Sequence, residues 1–222
     1  MGKLIVIEGT DSSGKETQSR LLEKRLEKSG QRVKRISFPS YDKDYSAPVK
    51  MYLSGELGSS PDDVNPYACS VLYAVDRLCS FKSDWEEFYE GGGIVVCDRY
   101  TTSNAVHQGG KLDEAARFDY LEWLFELEYK KMGLPAPDLV LLLDMPFEAA
   151  RELRCERANK ITGGAKKDIH ESDDAYMKRC YEAAKMTGEK LGWIRIECAC
   201  GGGIKAPEAI ADEIEREVAK FL

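Results

Sequence analysis

Basic residues are in the minority here: 32 Lys and Arg stand against 39 Asp and Glu, a formal charge of −7 over 222 residues. A broad nucleic-acid surface carries a basic excess, so this balance argues against one. Histidine is scarce, with His107 and His170 alone. The seven cysteines, an odd number, show one close pair, Cys198-Ala199-Cys200, and both histidines are far from it, so no zinc site is expected. Unpaired thiols fit a reducing, cytoplasmic setting. No run approaches the ~20 apolar residues of a membrane span. A secretory leader is not expected either, because Lys3 leads through Leu4-Ile5-Val6-Ile7 straight into Glu8-Gly9. Met1-Gly2 would suit N-myristoylation, but Val6 occupies the place of the required Ser or Thr.

What the chain does contain is a globular balance of 43% apolar and 32% charged residues. Short β-branched and Leu-rich runs at 4–7, 33–38, 94–97, 139–143 and 193–196 fit strands buried on both faces of a parallel sheet. Stretches 15–28, 65–89, 114–131 and 207–222 fit helices, the last with Pro207 at its start. Alternating strands and helices predict an α/β, three-layer αβα fold with a five-stranded parallel sheet. No repeat or linker divides the chain, so one domain over 1–222 is expected. The Lys- and Gly-rich segment within 154–172 reads either as a mobile lid or as a solvated loop.

The sharpest local signal is Gly9-Thr10-Asp11-Ser12-Ser13-Gly14-Lys15, a P-loop spacing between a predicted strand and a predicted helix. Glycines let backbone amides turn inward around phosphate oxygens, and the helix N-terminus adds a positive field. The usual Ser or Thr after the lysine is replaced by Glu16, with Thr17 one place later. One residue rotates a helical side chain by about 100°, so Thr17 is no simple substitute. Glu16 can ligate Mg²⁺, at the cost of repulsion beside a triphosphate.

Other chemistry falls at strand ends and on helix faces. Asp98-Arg99 closes the third strand on the side of the phosphate loop, where a carboxylate can hold a metal and a guanidinium can clamp phosphate. Phe38-Pro39 ends the second strand. Tyr73 and Arg77 share a helix face and suit a base that is stacked and hydrogen-bonded. Asn104, after Ser103, offers both an acceptor and a donor. Arg151, Arg154 and Arg157 repeat along one helix side, and with Lys160, Lys166 and Lys167 they could neutralise transferring phosphates.

In this order, the P-loop, Phe38-Pro39, Tyr73 with Arg77, Asp98-Arg99-Tyr100, Ser103-Asn104 and the late basic segment resemble the thymidylate kinases, among the P-loop nucleoside-monophosphate kinases, nearly end to end. The resemblance implies transfer of the ATP γ-phosphoryl group to dTMP, with Mg²⁺ as cofactor, in a cytoplasmic homodimer. By position, Gly9 to Glu16 and Thr17 would surround the ATP phosphates with Lys15. Asp11 and Asp98, with Glu16, would serve the metal, and Asp11 would also lie near the sugar. Arg99 would grip the acceptor phosphate. Tyr73 would stack on thymine beside Phe38, where Phe is usual. Arg77 and Asn104, next to Ser103, would read its edge, and His107 would disfavour a ribose 2′-hydroxyl. Two departures stand out: Ser40 replaces an arginine common after Phe-Pro, and Ser12-Ser13 stand where many relatives carry an arginine in the loop. Arg154, Arg157 or Lys160 would then supply the missing charge. Two other readings remain: a kinase of this fold for other deoxynucleoside monophosphates or deoxynucleosides, and a nucleotide-binding protein with weakened catalysis.

Overall fold

The computed structural model describes residues 1–162 and 168–222, with side chains through Glu156 in the first stretch. Strands β1 (Lys3–Glu8), β2 (Val33–Ser37), β3 (Ile94–Asp98), β4 (Leu139–Asp144) and β5 (Ile194–Glu197) form one sheet in the order β2-β3-β1-β4-β5. All four pairings are parallel. A strand side chain points to alternate faces, and β1 spends both on core. Ile5 and Ile7 pack with Leu22, Leu26, Ile210 and Ile214 on one face. Leu4 and Val6 pack with Phe81, Trp85 and Tyr100 on the other. That double burial is why the strand runs read as continuously apolar.

The helices follow as α1 (Lys15–Lys28), α2 (Ala47–Leu53), α3 (Pro66–Ser80), α4 (Glu86–Glu90), α5 (Thr101–His107), α6 (Glu114–Phe125), α7 (Phe147–Thr162), α8 (Asp174–Leu191) and α9 (Pro207–Phe221). Helix α3 starts where Asn65 accepts from the Ala68 amide at 2.9 Å, with Pro66 in its first turn. Asp173 starts α8 in the same way, accepting from Tyr176 at 2.8 Å.

The long helices expected over 65–89 and 114–131 are each interrupted. Helix α3 passes into a π-helical stretch at Phe81–Trp85, and α6 into another at Glu126–Lys131. Phe81 and Trp85, at the two ends of the first, are both buried, with their rings 4.6 Å apart. A short hairpin, β6 (Ala199–Cys200) with β7 (Gly203–Ile204), lies ahead of α9 and was not expected from the apolar pattern. Of the segment 154–172, residues through Thr162 continue α7 and 168–172 form a turn; 163–167 lie outside the described residues.

Strand order reverses beside β1, since the chain steps from β1 to the edge strand β2, returns through β3, and crosses to β4. Ligand crevices in open parallel sheets lie at the carboxyl ends of strands at such a switch. Here those ends are Glu8 and Asp98.

Candidate active site

A cavity of about 710 Å³ opens at this switch point. Its phosphate side is the loop between β1 and α1. Gly9 is required by close approach: a Cβ there would come within 2.5 Å of Ser13 Oγ and 3.0 Å of the Leu143 carbonyl. Gly14 takes a left-handed φ of 91° as the N-cap of α1 and supplies no side-chain cap, leaving the first helical amides free for an anion. Ser12 also has φ 65°. Asp11, Ser12, Gly14, Lys15, Glu16 and Thr17 line the cavity, whereas Gly9, Thr10 and Ser13 form its backing.

Lys15 is buried, and its Nζ donates to the Thr10 carbonyl at 2.7 Å. Burial, with the Arg99 guanidinium nearby, lowers its pKa to about 8. Glu16 is different in kind: it is exposed and pairs with Arg20 one turn along α1 at 2.8 Å.

Arg99, following β3, sits against the phosphate loop with a left-handed φ of 68° that a non-glycine residue holds only when its surroundings fix it. Its guanidinium donates to Asp11 and approaches Ser103 Oγ at 3.4 Å and His107 Nε2 at 3.1 Å. Burial disfavours ionised Asp11, but the Arg99 guanidinium, with the Lys15 ammonium, outweighs it and holds the carboxyl below the usual range. Asp98 is buried beside it and faces the cavity. Beneath Arg99 lies Glu8, fully buried, accepting from the Gly9 amide (2.9 Å), Thr102 Oγ1 (2.7 Å) and Ser103 Oγ (2.8 Å).

The remaining wall is aromatic above and polar below. Phe38, before the cis Pro39, and Tyr73 line it. Arg77 forms a bidentate pair with Glu128, Nε and Nη2 each 2.6 Å from a carboxylate oxygen, and both residues are buried. Thr101 Oγ1 donates to the same carboxylate at 2.8 Å. Asn104 is anchored through its amide nitrogen to the Ser70 carbonyl (3.2 Å) and Glu128 (3.4 Å), and among the described residues nothing donates to its oxygen. Gln108, one turn further, is buried at the cavity with neither end of its amide partnered among the described residues.

The structure thus gathers Asp11, Lys15, Phe38, Tyr73, Arg77, Asp98, Arg99, Ser103, Asn104 and His107 around one cavity. It does not bring Arg154 there. That side chain is buried against Asp174 at the start of α8, donating at 2.7 Å, and Arg151 shares the carboxylate at 3.0 Å. The reason is electrostatic: Asp174, in the first turn of α8, faces that basic stripe and takes its charge. The Arg157, Lys160, Lys166 and Lys167 side chains lie outside the described residues.

Sequence reasoning passed over Glu8, Gln108, Glu128, Asp168 and His170. Glu8 carried a signal, a lone carboxylate closing an otherwise apolar strand. Asp168 lines the cavity and accepts from the His170 and Glu171 amides at 2.9 and 2.8 Å. Burial, with Asp11 nearby, still lifts its pKa to about 6. Oxygen ligands suit Mg²⁺, which is usually held by one or two carboxylates together with substrate phosphates. Among the described residues no three or more His, Cys, Asp or Glu side chains cluster as a protein-only metal site. Asp98, facing the cavity beside the phosphate loop, fits the shared arrangement.

Residues 7–197 match the family model described as thymidylate kinase. The chain is 33% identical to the thymidylate kinase of Mycobacterium tuberculosis over 79% of its length and 81% of that protein. It is 27% identical to the Homo sapiens thymidylate kinase over 96% and 88%. The fold is similar to that of a solved thymidylate kinase from Candida albicans, with a TM-score of 0.70 at 19% identity, covering 99% of this chain and 92% of the other.

Proposed function

The chain belongs to the thymidylate kinase family, and from that premise we propose how its cavity transfers the ATP γ-phosphoryl group to dTMP, giving dTDP and ADP. The observation that supports the assignment of residues is the polar cluster Arg77–Glu128–Asn104, whose Arg77 and Asn104 line the same cavity as Lys15. With its nitrogen committed, Asn104 presents an acceptor, which suits the N3–H of thymine. Arg77 has only donors and keeps Nη1 near the Tyr100 carbonyl at 3.4 Å, suiting O4. Tyr73 with Phe38 supplies the stacking faces, and Gln108 lines the same cavity.

Cytosine presents the reverse pattern, an acceptor at N3 and a donor amine at C4. The expected result is turnover of dTMP and dUMP, with dCMP disfavoured by roughly 10⁴ in kcat/KM, because a buried site left with unpaired polar groups rejects the wrong edge strongly. Coupled ADP release with each monophosphate measures this. Equal rates with dCMP and dTMP would overturn the base-reading assignment, and phosphorylation of thymidine but not dTMP would overturn the acceptor.

Transfer needs in-line placement and charge stabilisation more than covalent chemistry. Loop amides and Lys15 hold the donor phosphates. Arg99, aimed by Asp11, Ser103 and His107, grips the acceptor phosphate, whose oxygen is already deprotonated and needs no strong base. Mg²⁺, when bound, supplies charge neutralisation on the donor phosphates; Asp98 and Asp11 would hold it, and Glu16 would have to leave Arg20 to join them. Asp11 serves a metal only as far as Arg99 turns from it to the acceptor phosphate. The lid, 154–172 within a single 1–222 domain, contributes Arg154 or Arg157 to the transferring group and excludes water. For Arg154 this means exchanging Asp174 for phosphate.

We further propose a cytoplasmic homodimer. All seven cysteines are free thiols, in keeping with a reducing compartment, and among the described residues no helix is long and apolar enough to cross a membrane. Tyr67, Val71 and Val75 recur every four residues along α3 and are 38%, 41% and 38% exposed, an apolar stripe continued by Trp123 of α6, whose ring lies 4.7 Å from Tyr67. Charge on such a stripe disrupts a self-complementary interface. Val71→Glu with Val75→Glu should yield a monomer by light scattering; a wild-type protein that is itself monomeric would rule the dimer out.

A further inference from the structure

Arg99 owes its aim to hydrogen-bond acceptors on the phosphate loop (Asp11) and α5 (Ser103 and His107), with the Glu8 carboxylate of β1 3.9 Å from its Nη1. A guanidinium only donates, so His107 Nε2 must accept the bond from Arg99 Nη1 at 3.1 Å. That fixes the neutral tautomer with its proton on Nδ1. This nitrogen is buried and has no partner among the described residues. The opposite tautomer would set N–H against N–H, so the contact with Arg99 decides where the proton sits.

The imidazole plane is fixed from the other side. His170, in the turn after 163–167, stacks on it with ring centroids 5.7 Å apart and an interplanar angle of 11°. His170 is held in turn by Tyr52. The Tyr52 hydroxyl donates to the Pro61 carbonyl at 3.2 Å and accepts from Lys111 at 3.1 Å. His170 Nε2, 2.9 Å from it, therefore donates. Burial, with the Arg99 guanidinium next, keeps His107 far below the usual imidazole range; burial likewise lowers His170 to about 4. Both rings are neutral near pH 7, as stacking and acceptance require.

We propose that His107 is a positioning residue for phosphoryl transfer: its Nε2 holds the Arg99 guanidinium toward the acceptor phosphate, and the stack on His170 braces the ring from the turn 168–172. The proposal rests on the reading that Arg99 binds the dTMP phosphate. It differs from a role of bulk alone, in which His107 merely crowds a ribose 2′-hydroxyl, because it needs an acceptor atom and not only a ring.

Two measurements test it. In wild-type protein, ¹⁵N imidazole shifts should show His107 protonated on Nδ1 and bare at Nε2; the reverse tautomer would overturn the proposal without any variant. Calorimetric binding and steady-state kinetics then compare His107→Phe, which keeps ring and bulk but removes the acceptor, with His107→Gln, which returns an acceptor. The Phe variant should bind dTMP about tenfold more weakly, the loss expected for one hydrogen bond to a charged group, and lose kcat as well, with ATP affinity held. The Gln variant should recover most of the dTMP affinity. His170→Ala should show a smaller loss, about threefold, also confined to dTMP. A Phe variant with wild-type dTMP affinity, changed only in its preference against the ribonucleotide, would sink the proposal alone. Wild-type protein that binds ATP but no dTMP would sink the functional reading and the proposal with it.

Discussion

Lys15→Met is expected to lower kcat/KM for ATP by about 10³ while leaving the melting temperature unchanged or higher. The loss follows from removing a cation aimed at developing phosphate charge in a site that excludes water, where one such group contributes roughly 10²–10³. The stability side follows from burial. The Lys15 ammonium sits desolvated beside Arg99, and its pKa falls to about 8 instead of rising as it would in a net favourable ion pair. Its charge therefore weakens the folded state, and an apolar side chain of similar length relieves that cost. The same depression sets a pH limit. Below about pH 8 the amine is protonated and serves ATP; above it the proton is lost. Wild-type kcat/KM for ATP should then fall tenfold per pH unit on the alkaline side. A flat profile from pH 7 to pH 10 would contradict the buried, depressed lysine.

Glu128→Ala should produce the largest loss of stability from any single change at the site, about 3–5 kcal/mol. Glu128 is fully buried and accepts from Arg77, Thr101 and Asn104. Removing it leaves the Arg77 guanidinium buried without its counter-charge. For a chain of this size that is about 6–20 °C in melting temperature. Replacing both partners, Arg77→Met with Glu128→Leu, should regain most of the stability because no unpaired charge is left. It should not regain dTMP turnover, since the base-reading floor is gone. Calorimetric melts beside dTMP kinetics separate the two contributions. A single Glu128→Ala variant that melts with the wild type would mean that Arg77 finds another acceptor.

The parts of the site that were legible from sequence are those whose chemistry is local in the chain. The phosphate loop is set by glycine spacing over seven residues, and Asp98-Arg99 by its place at a strand end. Glu128 was hidden because its neighbours Glu126, Lys130 and Lys131 make the stretch look like a solvated face, and Arg77 lies 51 residues away. The spacing of Tyr73 and Arg77 points Arg77 to a base, but its shortest bonds go to that carboxylate. Glu8 was hidden for another reason: its partners Thr102 and Ser103 come from α5, brought beside β1 only by the crossover. The basic stripe Arg151–Arg154 read correctly as one helix side, but nothing in its spacing revealed Asp174 opposite. Periodicity also missed both π-helical stretches, because their residues are as helix-forming as those around them.

Those two wide turns constrain the chain in a way composition does not. An α-helix advances about 100° per residue, so removing Glu126 or Leu127 and letting α6 continue would swing everything beyond it around the axis. The residue at the Glu128 position would turn from Arg77, whatever its identity. Substitutions at the exposed Glu126, Lys130 and Lys131 should therefore be harmless, while deleting Glu126, ahead of the carboxylate, should cost as much as losing it. The same holds at Phe81–Trp85, where three exposed positions, Lys82, Ser83 and Asp84, separate two buried rings. At both places the surface can drift in identity but not in length, so insertions and deletions belong elsewhere in this chain.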